Sequence, residues 1–224
     1  MQQKLLVLNY IVYYNPPIFC ILKTMEVPQQ EKKKDHFFKE ILKASLIAII
    51  IVVPIRFYVA QPYVVSGASM DPTFETGHYI IVDQLSYHFN EPKRGEVIVF
   101  KFPEDPKKSF IKRIIGLPHE MVEIRRGTVS IYNHLNPDGL TLDESYLADT
   151  NKTHDTLTFE LGESEYFVMG DNRRASSDSR IWGALPKDLI LGRAFFRALP
   201  VTKIDVLPGD YSEQFEPLPI EIRK

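Results

Sequence analysis

From residue 61 onward, the chain consists mainly of short runs of β-branched and aromatic residues, each bounded by turn-forming residues. The runs occupy 79–82, 96–100, 110–115, 121–124, 128–132, 156–161 and 166–169. Runs of this length, separated by Gly and Pro, are typical of β-strands. Apart from a helical turn indicated at 185–190, this part of the chain has no long helical periodicity. The sequence therefore predicts a mainly β fold, with an all-β sheet or barrel domain over 61–207.

The composition excludes several classes of function. The chain has 224 residues, 44% of them hydrophobic and 25% charged, which fits one globular domain with an appendage. The net charge of -2 comes without a basic patch, so nucleic acid is not expected as a partner. Cys20 is the single cysteine, and neither Cys/His spacing nor an H-E-x-x-H motif indicates zinc. We therefore expect neither a metal nor another cofactor.

An apolar segment at 37–60 predicts one transmembrane helix. Its uncharged core, 44–55, is short for a bilayer span, which needs about 20 residues. Lys43 and Arg56 extend the segment, because long basic side chains can place their charges at the two membrane interfaces. Tyr58 suits the interfacial zone. The alternative is a buried core helix of a soluble domain.

The flanks of this segment predict an orientation and a domain plan. A run of three lysines at 32–34 places the N-terminus in the cytoplasm by the positive-inside rule, so the β domain would lie on the far side of the membrane. Residues 1–36 form the cytoplasmic segment, and the polar, Pro-containing residues 208–224 form a solvated tail. The apolar runs within 1–24 are each too short to span a bilayer. We interpret Met25 as the biological start; the alternative is a hydrophobic hairpin or a membrane-surface segment.

A serine that follows two small residues is the candidate nucleophile. Gly67 and Ala68 precede Ser69, and small neighbours let a substrate backbone approach the hydroxyl closely. Serine is nucleophilic only beside a base, and the chain has no G-x-S-x-G elbow of the α/β-hydrolases. Lysine is another base that serine peptidases use. Lys112 is the candidate because it lies within the apolar run at 110–115; the alternative is a solvated lysine on an edge strand.

Four segments of the chain resemble, in the same order, the motifs of the bacterial type I signal peptidases, also called leader peptidases. The segments are 66–73, 94–100, 112–118 and 170–180. The likeness extends from 39 to about 207, and it is to the compact, Gram-positive-like form of the family, because the segment between 132 and 166 is short. It implies a signal-peptidase-like all-β catalytic domain with one N-terminal transmembrane helix. Such enzymes are membrane-anchored serine endopeptidases with a Ser-Lys dyad.

The resemblance implies a chemical role for three side chains. Ser69 is the nucleophile, Lys112 is the general base, and Ser176 is the serine that hydrogen-bonds and orients the lysine. Only a neutral amine accepts a proton, so burial is expected to lower the pKa of Lys112 well below its ordinary value of about 10.4. The Ser69 N–H is expected to hold the oxyanion of the intermediate.

Other residues differ from the family pattern or have structural roles. Some relatives have a second serine for the oxyanion hole where this chain has Gly67, so a second donor must come from the backbone or from water. Asp178 and Arg180 are expected to form a structural ion pair near the site. The lysine motif usually continues as Gly-Asp, whereas here it continues as His119-Glu120, a difference that affects a turn and not the chemistry.

By this resemblance, the substrates are secreted preproteins whose signal peptides have small residues at the first and third positions before the cut. The extended substrate would add to strands around 63–66 and 109–112. The lipid bilayer is the second partner, no obligate protein partner is implied, and the enzyme would be a single-pass protein of the cell (inner or plasma) membrane. The alternatives are a specialised Ser-Lys relative, such as a mitochondrial inner-membrane or conjugation pilin peptidase, a self-cleaving repressor, or an inactive membrane-anchored β-domain that serves as a binding module.

Overall fold

A computed structural model describes residues 32–54, 59–152 and 155–215. The chain divides into two compact units, residues 1–46 and 47–224, and the described strands belong to the second unit. The predicted N-terminal extension and the last nine residues of the predicted tail lie outside the described residues.

The N-terminal helix α1 (Lys32–Pro54) contains most of the predicted membrane segment. It has no glycine, and its only proline is the last residue, where the missing N–H and the ring favour the end of a helix. The large apolar side chains between residues 37 and 53 are exposed. Each helix in the described part of the chain nevertheless falls short of the length and apolar character that crossing a bilayer requires. Residues 55–58 of the predicted span lie outside the described part.

The other described elements are strands, two single-turn α-helices and short 3₁₀ turns, which confirms the prediction of a mainly β protein. The strands are β1 (Ala60–Val64), β2 (Tyr79–Asp83), β3 (Val97–Phe102), β4 (Asp105–Gly116), β5 (Met121–Arg125), β6 (Thr128–Tyr132), β7 (Leu140–Thr141), β8 (Leu157–Glu160), β9 (Glu165–Met169), β10 (Leu185–Pro186), β11 (Ile190–Leu199) and β12 (Asp205–Val206). The helices are α2 (Ser179–Trp182) and α3 (Ser212–Phe215). Each run predicted from the sequence overlaps a strand, and the helical turn indicated at 185–190 is a 3₁₀ turn over Lys187–Leu189.

The described strands form two antiparallel sheets. The larger sheet has the order β1-β2-β11-β3-β4-β9-β10, with β12 beside β11, and the smaller sheet has the order β7-β6-β5-β8. Residues 97–100 of β3 are all buried, as expected of a continuous apolar run with both faces covered. β3 pairs with β4 so that Ile98 lies opposite Lys112. The buried strand therefore gives Lys112 an apolar neighbour.

Strand β11 was not predicted from the sequence, although it lies between β2 and β3 in the larger sheet. Two arginines interrupt its apolar pattern. In the structure, Arg193 pairs with Asp83 at 3.3 Å, and Arg197 donates to the Thr73 carbonyl at 2.7 Å. Partners that are distant in sequence satisfy these charges, and a local pattern contains no information about them.

Residues 208–215 do not form the solvated tail that the sequence predicted. Phe215 is buried in a core cluster, and Tyr211 stacks on Tyr146 with ring centroids 4.6 Å apart. Gly95 permits this packing, because a Cβ at that position would lie 2.7 Å from the Tyr211 carbonyl carbon. Two aromatic rings bury enough apolar surface to hold a segment that is otherwise polar.

Candidate active site

Ser69 and Lys112 meet in the structure although they are far apart in sequence. Nζ of Lys112 lies 2.7 Å from Oγ of Ser69 and donates to the Ile111 carbonyl at 2.9 Å. Ser69 lies in the turns that follow β1, whereas Lys112 lies in the middle of β4 and is only 3% exposed. A contact of this length between a hydroxyl and an amine is the geometry that activation of a serine requires.

Burial alters the protonation of Lys112. Desolvation lowers its pKa to about 8, against the opposing influence of Asp178 and Asp171. The Nζ atom also lies 5.3 Å from the centroid of the Phe110 ring. At pH 7, a lysine with this pKa is neutral in roughly one molecule in ten, so a fraction of the protein has an amine that can accept a proton.

The nucleophile loop, which we define as residues 65–73, rests against the motif at 170–180. The Asn172 N–H donates to the Ser69 carbonyl at 3.0 Å, and a Cβ at Gly170 would clash with that carbonyl oxygen. Met70 is wholly buried, and its sulfur accepts a hydrogen bond from the Asp171 N–H at 3.5 Å. The motif at 170–180 thus holds the backbone of Ser69 through contacts that require glycine at residue 170.

Gly67 shapes a turn and does not offer a free amide. Its φ of 99° lies in a region that side chains with a Cβ rarely adopt. Its N–H donates to Oγ1 of Thr76 at 3.0 Å, and that hydroxyl donates back to the Gly67 carbonyl at 3.2 Å. Within the described ranges, the Ser69 N–H has no hydrogen-bond acceptor. Of these two amides, that of Ser69 is the one available to an oxyanion.

Ser176 does not bond to Lys112, in contrast to the role that the resemblance implied. Its Oγ atom is buried and has no hydrogen-bond partner in the part of the chain that the structure describes. A Cβ at Gly170 would clash with this hydroxyl as well, so Ser176 lies beside the contact that holds the nucleophile loop. Ser176 also lines a neighbouring cavity together with Arg174 and Arg180.

The expected ion pair between Asp178 and Arg180 is present. Nε and Nη2 of Arg180 each lie 2.8 Å from an oxygen of the buried Asp178 carboxylate. One of these oxygens also accepts from the Gly170 N–H at 2.9 Å. Arg180 extends the network to Asp155 at 2.8 Å. The pair thus anchors the glycine that lies against Ser69, which is a structural role.

Arg113 and Asp171 form a second buried ion pair, which was not predicted from the sequence. Nε and Nη2 of Arg113 lie 2.8 and 2.6 Å from the two carboxylate oxygens of Asp171. Oγ1 of Thr73 donates to the same carboxylate at 2.6 Å. Because side chains alternate along a strand, Arg113 points away from the face that carries Lys112. Because Arg113 directly follows the candidate base, the sequence could have marked it as a residue near the site. Its partner could not be read from the local sequence, since Asp171 is 58 residues away.

The departure of the lysine motif from Gly-Asp has a local explanation. His119 has a φ of 64°, so it adopts the left-handed conformation that glycine adopts more readily. Glu120 is buried and lies 2.6 Å from the guanidinium of Arg94, and it accepts from the Leu117 N–H at 2.8 Å. The longer acidic side chain therefore closes this turn away from Ser69 and Lys112.

A cleft of about 300 Å³ opens beside Ser69 and Lys112. Residues 63–69 line one wall, and residues 109–112 line another. β1 is the first strand of the larger sheet, and β9 pairs with β4 only between 113 and 116. Each wall therefore has one strand edge that is unpaired within the described sheet. The rest of the lining consists of Ile80, Val99, Ala175 and Ser177.

No group of three or more His, Cys, Asp or Glu residues is placed to hold a metal ion in the residues that the structure describes. A β-sheet scaffold with a serine hydroxyl beside a buried lysine amine, in an open cleft, is the arrangement of serine peptidases in which lysine replaces histidine.

Comparisons of the sequence with known proteins agree with this class. Residues 38–199 match the family model described as "Signal peptidase, peptidase S26". A probable signal peptidase I-1 from Synechocystis is 37% identical over 175 residues, which cover 75% of this chain and 86% of the relative. The probable signal peptidase I-2 of the same organism is 35% identical over 188 residues, covering 81% and 83%. A crystal structure of a signal peptidase I from Enterococcus faecalis covers 46% of this chain and 97% of its own chain, with 30% identity and a TM-score of 0.40.

The chain belongs to the signal peptidase family, peptidase S26. This membership confirms the resemblance inferred from the four sequence motifs. It also confirms the predicted class of enzyme, a serine endopeptidase that removes signal peptides.

Proposed function

We propose that Ser69 is the nucleophile and Lys112 the general base with which this signal peptidase cleaves secreted preproteins. The observation that carries the proposal is the 2.7 Å contact between Oγ of Ser69 and Nζ of the buried Lys112. Ser69 attacks the scissile carbonyl while neutral Lys112 accepts its proton. The resulting ammonium donates a proton to the leaving nitrogen, the peptide bond breaks, and an acyl-enzyme forms. Water, deprotonated by Lys112, then releases the signal peptide and restores the serine.

The oxyanion of the tetrahedral intermediate is held by the Ser69 N–H. Its lack of an acceptor among the described residues supports this role, since a donor must be free when charge develops on the carbonyl oxygen. We propose that Ser176 orients Lys112 only after its side chain changes rotamer, because its hydroxyl does not contact the amine in this structure. Its buried hydroxyl has no other partner in the described ranges, and such a group is unfavourable until it is bonded.

The substrate lies extended in the cleft between residues 63–66 and 109–112. The unpaired strand edges of these two segments support backbone pairing on both sides of the peptide. Val99 and Ile111 are among the apolar residues of the lining. A shallow apolar lining accepts small side chains, which agrees with a signal peptide that ends in small residues.

Residues 37–60 anchor the enzyme in the cell membrane, with the N-terminus in the cytoplasm and the β domain on the other side. Support comes from α1, because apolar side chains at consecutive positions from Ile49 to Val53 are all exposed and thus surround the helix. The lysine run at 32–34 supports the orientation. An anchored enzyme meets the cleavage site of a membrane-inserted signal peptide at high effective concentration.

Alanine substitution tests the two catalytic assignments separately. Ser69→Ala and Lys112→Ala should each abolish cleavage of a purified preprotein, because one lacks the nucleophile and the other the proton acceptor. Loss of a dyad member reduces serine-peptidase turnover by several orders of magnitude. Cleavage is followed by gel electrophoresis, and thermal unfolding shows that each variant is folded.

Lys107→Ala is the matched control, since Lys107 is an exposed lysine of the same strand. It should cleave at the wild-type rate. A folded Lys112→Ala variant with wild-type turnover would exclude the lysine as the base.

A further inference from the structure

Arg113, which follows the proposed base, is enclosed by a segment that has no assigned role in cleavage. We call this segment, residues 207–215, the C-terminal strap. Nη1 of Arg113 donates to the carbonyl of Gly209 in the strap. The guanidinium carbon lies 4.9 Å from the centroid of the Tyr211 ring and 4.4 Å from that of Tyr146. The strap thus provides both a backbone acceptor and an aromatic ring for a side chain that is fully buried.

The strap also contacts the nucleophile loop. A Cβ at Gly209 would clash with the methyl group of Thr73, so the Thr73 side chain packs against the strap backbone as closely as glycine permits. Thr73 donates to Asp171, whose carboxylate binds Arg113. The loop that carries Ser69 and the strand that carries Lys112 are therefore both in contact with the strap.

We propose that Tyr211 is a positioning residue for the Ser69–Lys112 pair and that it acts through Arg113. The proposal rests on the catalytic roles proposed above. The tyrosine ring holds the guanidinium by stacking and cation–π attraction, which are stronger where water is excluded. Arg113 in turn fixes the backbone of the residue that precedes it. Without the ring, we expect Lys112 to shift relative to Ser69 and water to enter beside its amine.

The test compares Tyr211→Leu with Tyr211→Phe in the full-length enzyme, using kcat, KM and the pH dependence of preprotein cleavage. Tyr211→Leu should lower kcat about tenfold or more with little change in KM, because misplacement of reacting atoms by about 1 Å can cost up to a hundredfold in rate. Phenylalanine keeps the aromatic ring, so the Tyr211→Phe variant should have the same kcat as the wild type.

The pH profile separates positioning from a loss of folded protein. Water beside Lys112 stabilises the charged amine, so the acid limb of kcat/KM for Tyr211→Leu should move to higher pH. Asp178 and Asp171, the carboxylates that act on Lys112, are unchanged in both variants. A reduced amount of folded enzyme would lower the rate equally at every pH and would leave the limb in place.

Gly209→Ala is a second variant, because its added methyl presses on Thr73 and strains the strap at a backbone φ of 69°. It too should lower kcat with little change in KM.

A wild-type kcat and acid limb in folded Tyr211→Leu, or in folded Gly209→Ala if the first variant does not fold, would overturn the proposal. Unfolding of both variants would also overturn it, since the strap would then only hold the fold together. Lys112→Ala in the same assay keeps the two proposals apart: if it is inactive while the strap variants behave as wild type, the dyad stands and the strap proposal fails.

Discussion

Lys112 is a single buried residue whose environment affects both the chemistry and the stability of the folded chain. Its pKa is lowered to about 8 in the folded protein, whereas an unfolded chain has the ordinary lysine value of about 10.4. Between these two values the unfolded chain binds more protons, so the free energy of unfolding rises with pH across this window. Below the lower value the folded protein carries the full unfavourable contribution, which is about 3 kcal/mol.

Lys112→Met tests this contribution, because methionine is of similar length and has no charge to desolvate. At pH 7 the variant should be inactive and more stable than the wild type, by up to about 3 kcal/mol. Urea unfolding at pH 7 and pH 10 measures the difference, which should shrink at the higher pH. Lys107→Met, at an exposed position, should show no such gain. A gain for Lys112→Met that is equal at both pH values would contradict a burial penalty on the charged amine.

At the scale of elements, the site depends on how the nucleophile loop meets the motif at 170–180. The Asp178–Arg180 pair holds the Gly170 N–H, and Gly170 lies against the Ser69 carbonyl. Glycine is required here by close approach to the loop backbone and not by its φ value. The element that carries the ion pair therefore determines where the nucleophile sits.

Gly170→Ala should reduce cleavage by about a hundredfold, because the added methyl group must displace the Ser69 backbone. The kinetic measurement is kcat/KM on a purified preprotein, with thermal unfolding recorded alongside. Gly162→Ala is the control, since its methyl group would meet only the flexible end of the Glu165 side chain at 3.1 Å. Equal activity of the two variants would show that the close approach at residue 170 is not needed for catalysis.

At the scale of the whole molecule, the proposed function joins a peptidase domain to a membrane anchor. The β domain contains both proposed catalytic residues and the cleft, and α1 contains the exposed apolar side chains. For an anchored enzyme, the effective concentration at the membrane contributes to the rate on inserted preproteins but not to the rate on short soluble peptides. The two kinds of substrate therefore separate the role of the anchor from the role of the site.

Ile50→Arg tests the anchor in the full-length chain. An arginine near the middle of a span costs about 3 kcal/mol of insertion free energy, so the variant should sediment less with membrane vesicles. Its cleavage of a vesicle-inserted preprotein should fall about tenfold, while its cleavage of a soluble peptide stays the same. Ile50→Leu keeps the apolar character and serves as the control. Unchanged sedimentation of Ile50→Arg would count against the anchor.

The local sequence was sufficient for the features that depend on neighbouring residues. Alternating and continuous apolar runs predicted β2, β3 and β4, since burial of a strand requires that pattern. The motif around Ser69 and the apolar run around Lys112 indicated a nucleophile and a base, although the sequence does not contain the distance between their side chains. β11 was missed because Arg193 and Arg197 are satisfied by partners from other parts of the chain.

What the sequence by itself determined was the identity of the groups: the family, seven of the strands (β2 to β6, β8 and β9), the serine and the lysine. Only the tertiary structure decided how they are arranged. It brought Oγ of Ser69 within 2.7 Å of Nζ of Lys112, used the Gly67 amide for a turn, left Ser176 without a partner among the described residues, and packed Tyr211 beside Arg113. The physical reason is that hydrogen bonds, burial and clashes act between atoms close in space. Residue types and their spacing along the chain do not contain those distances.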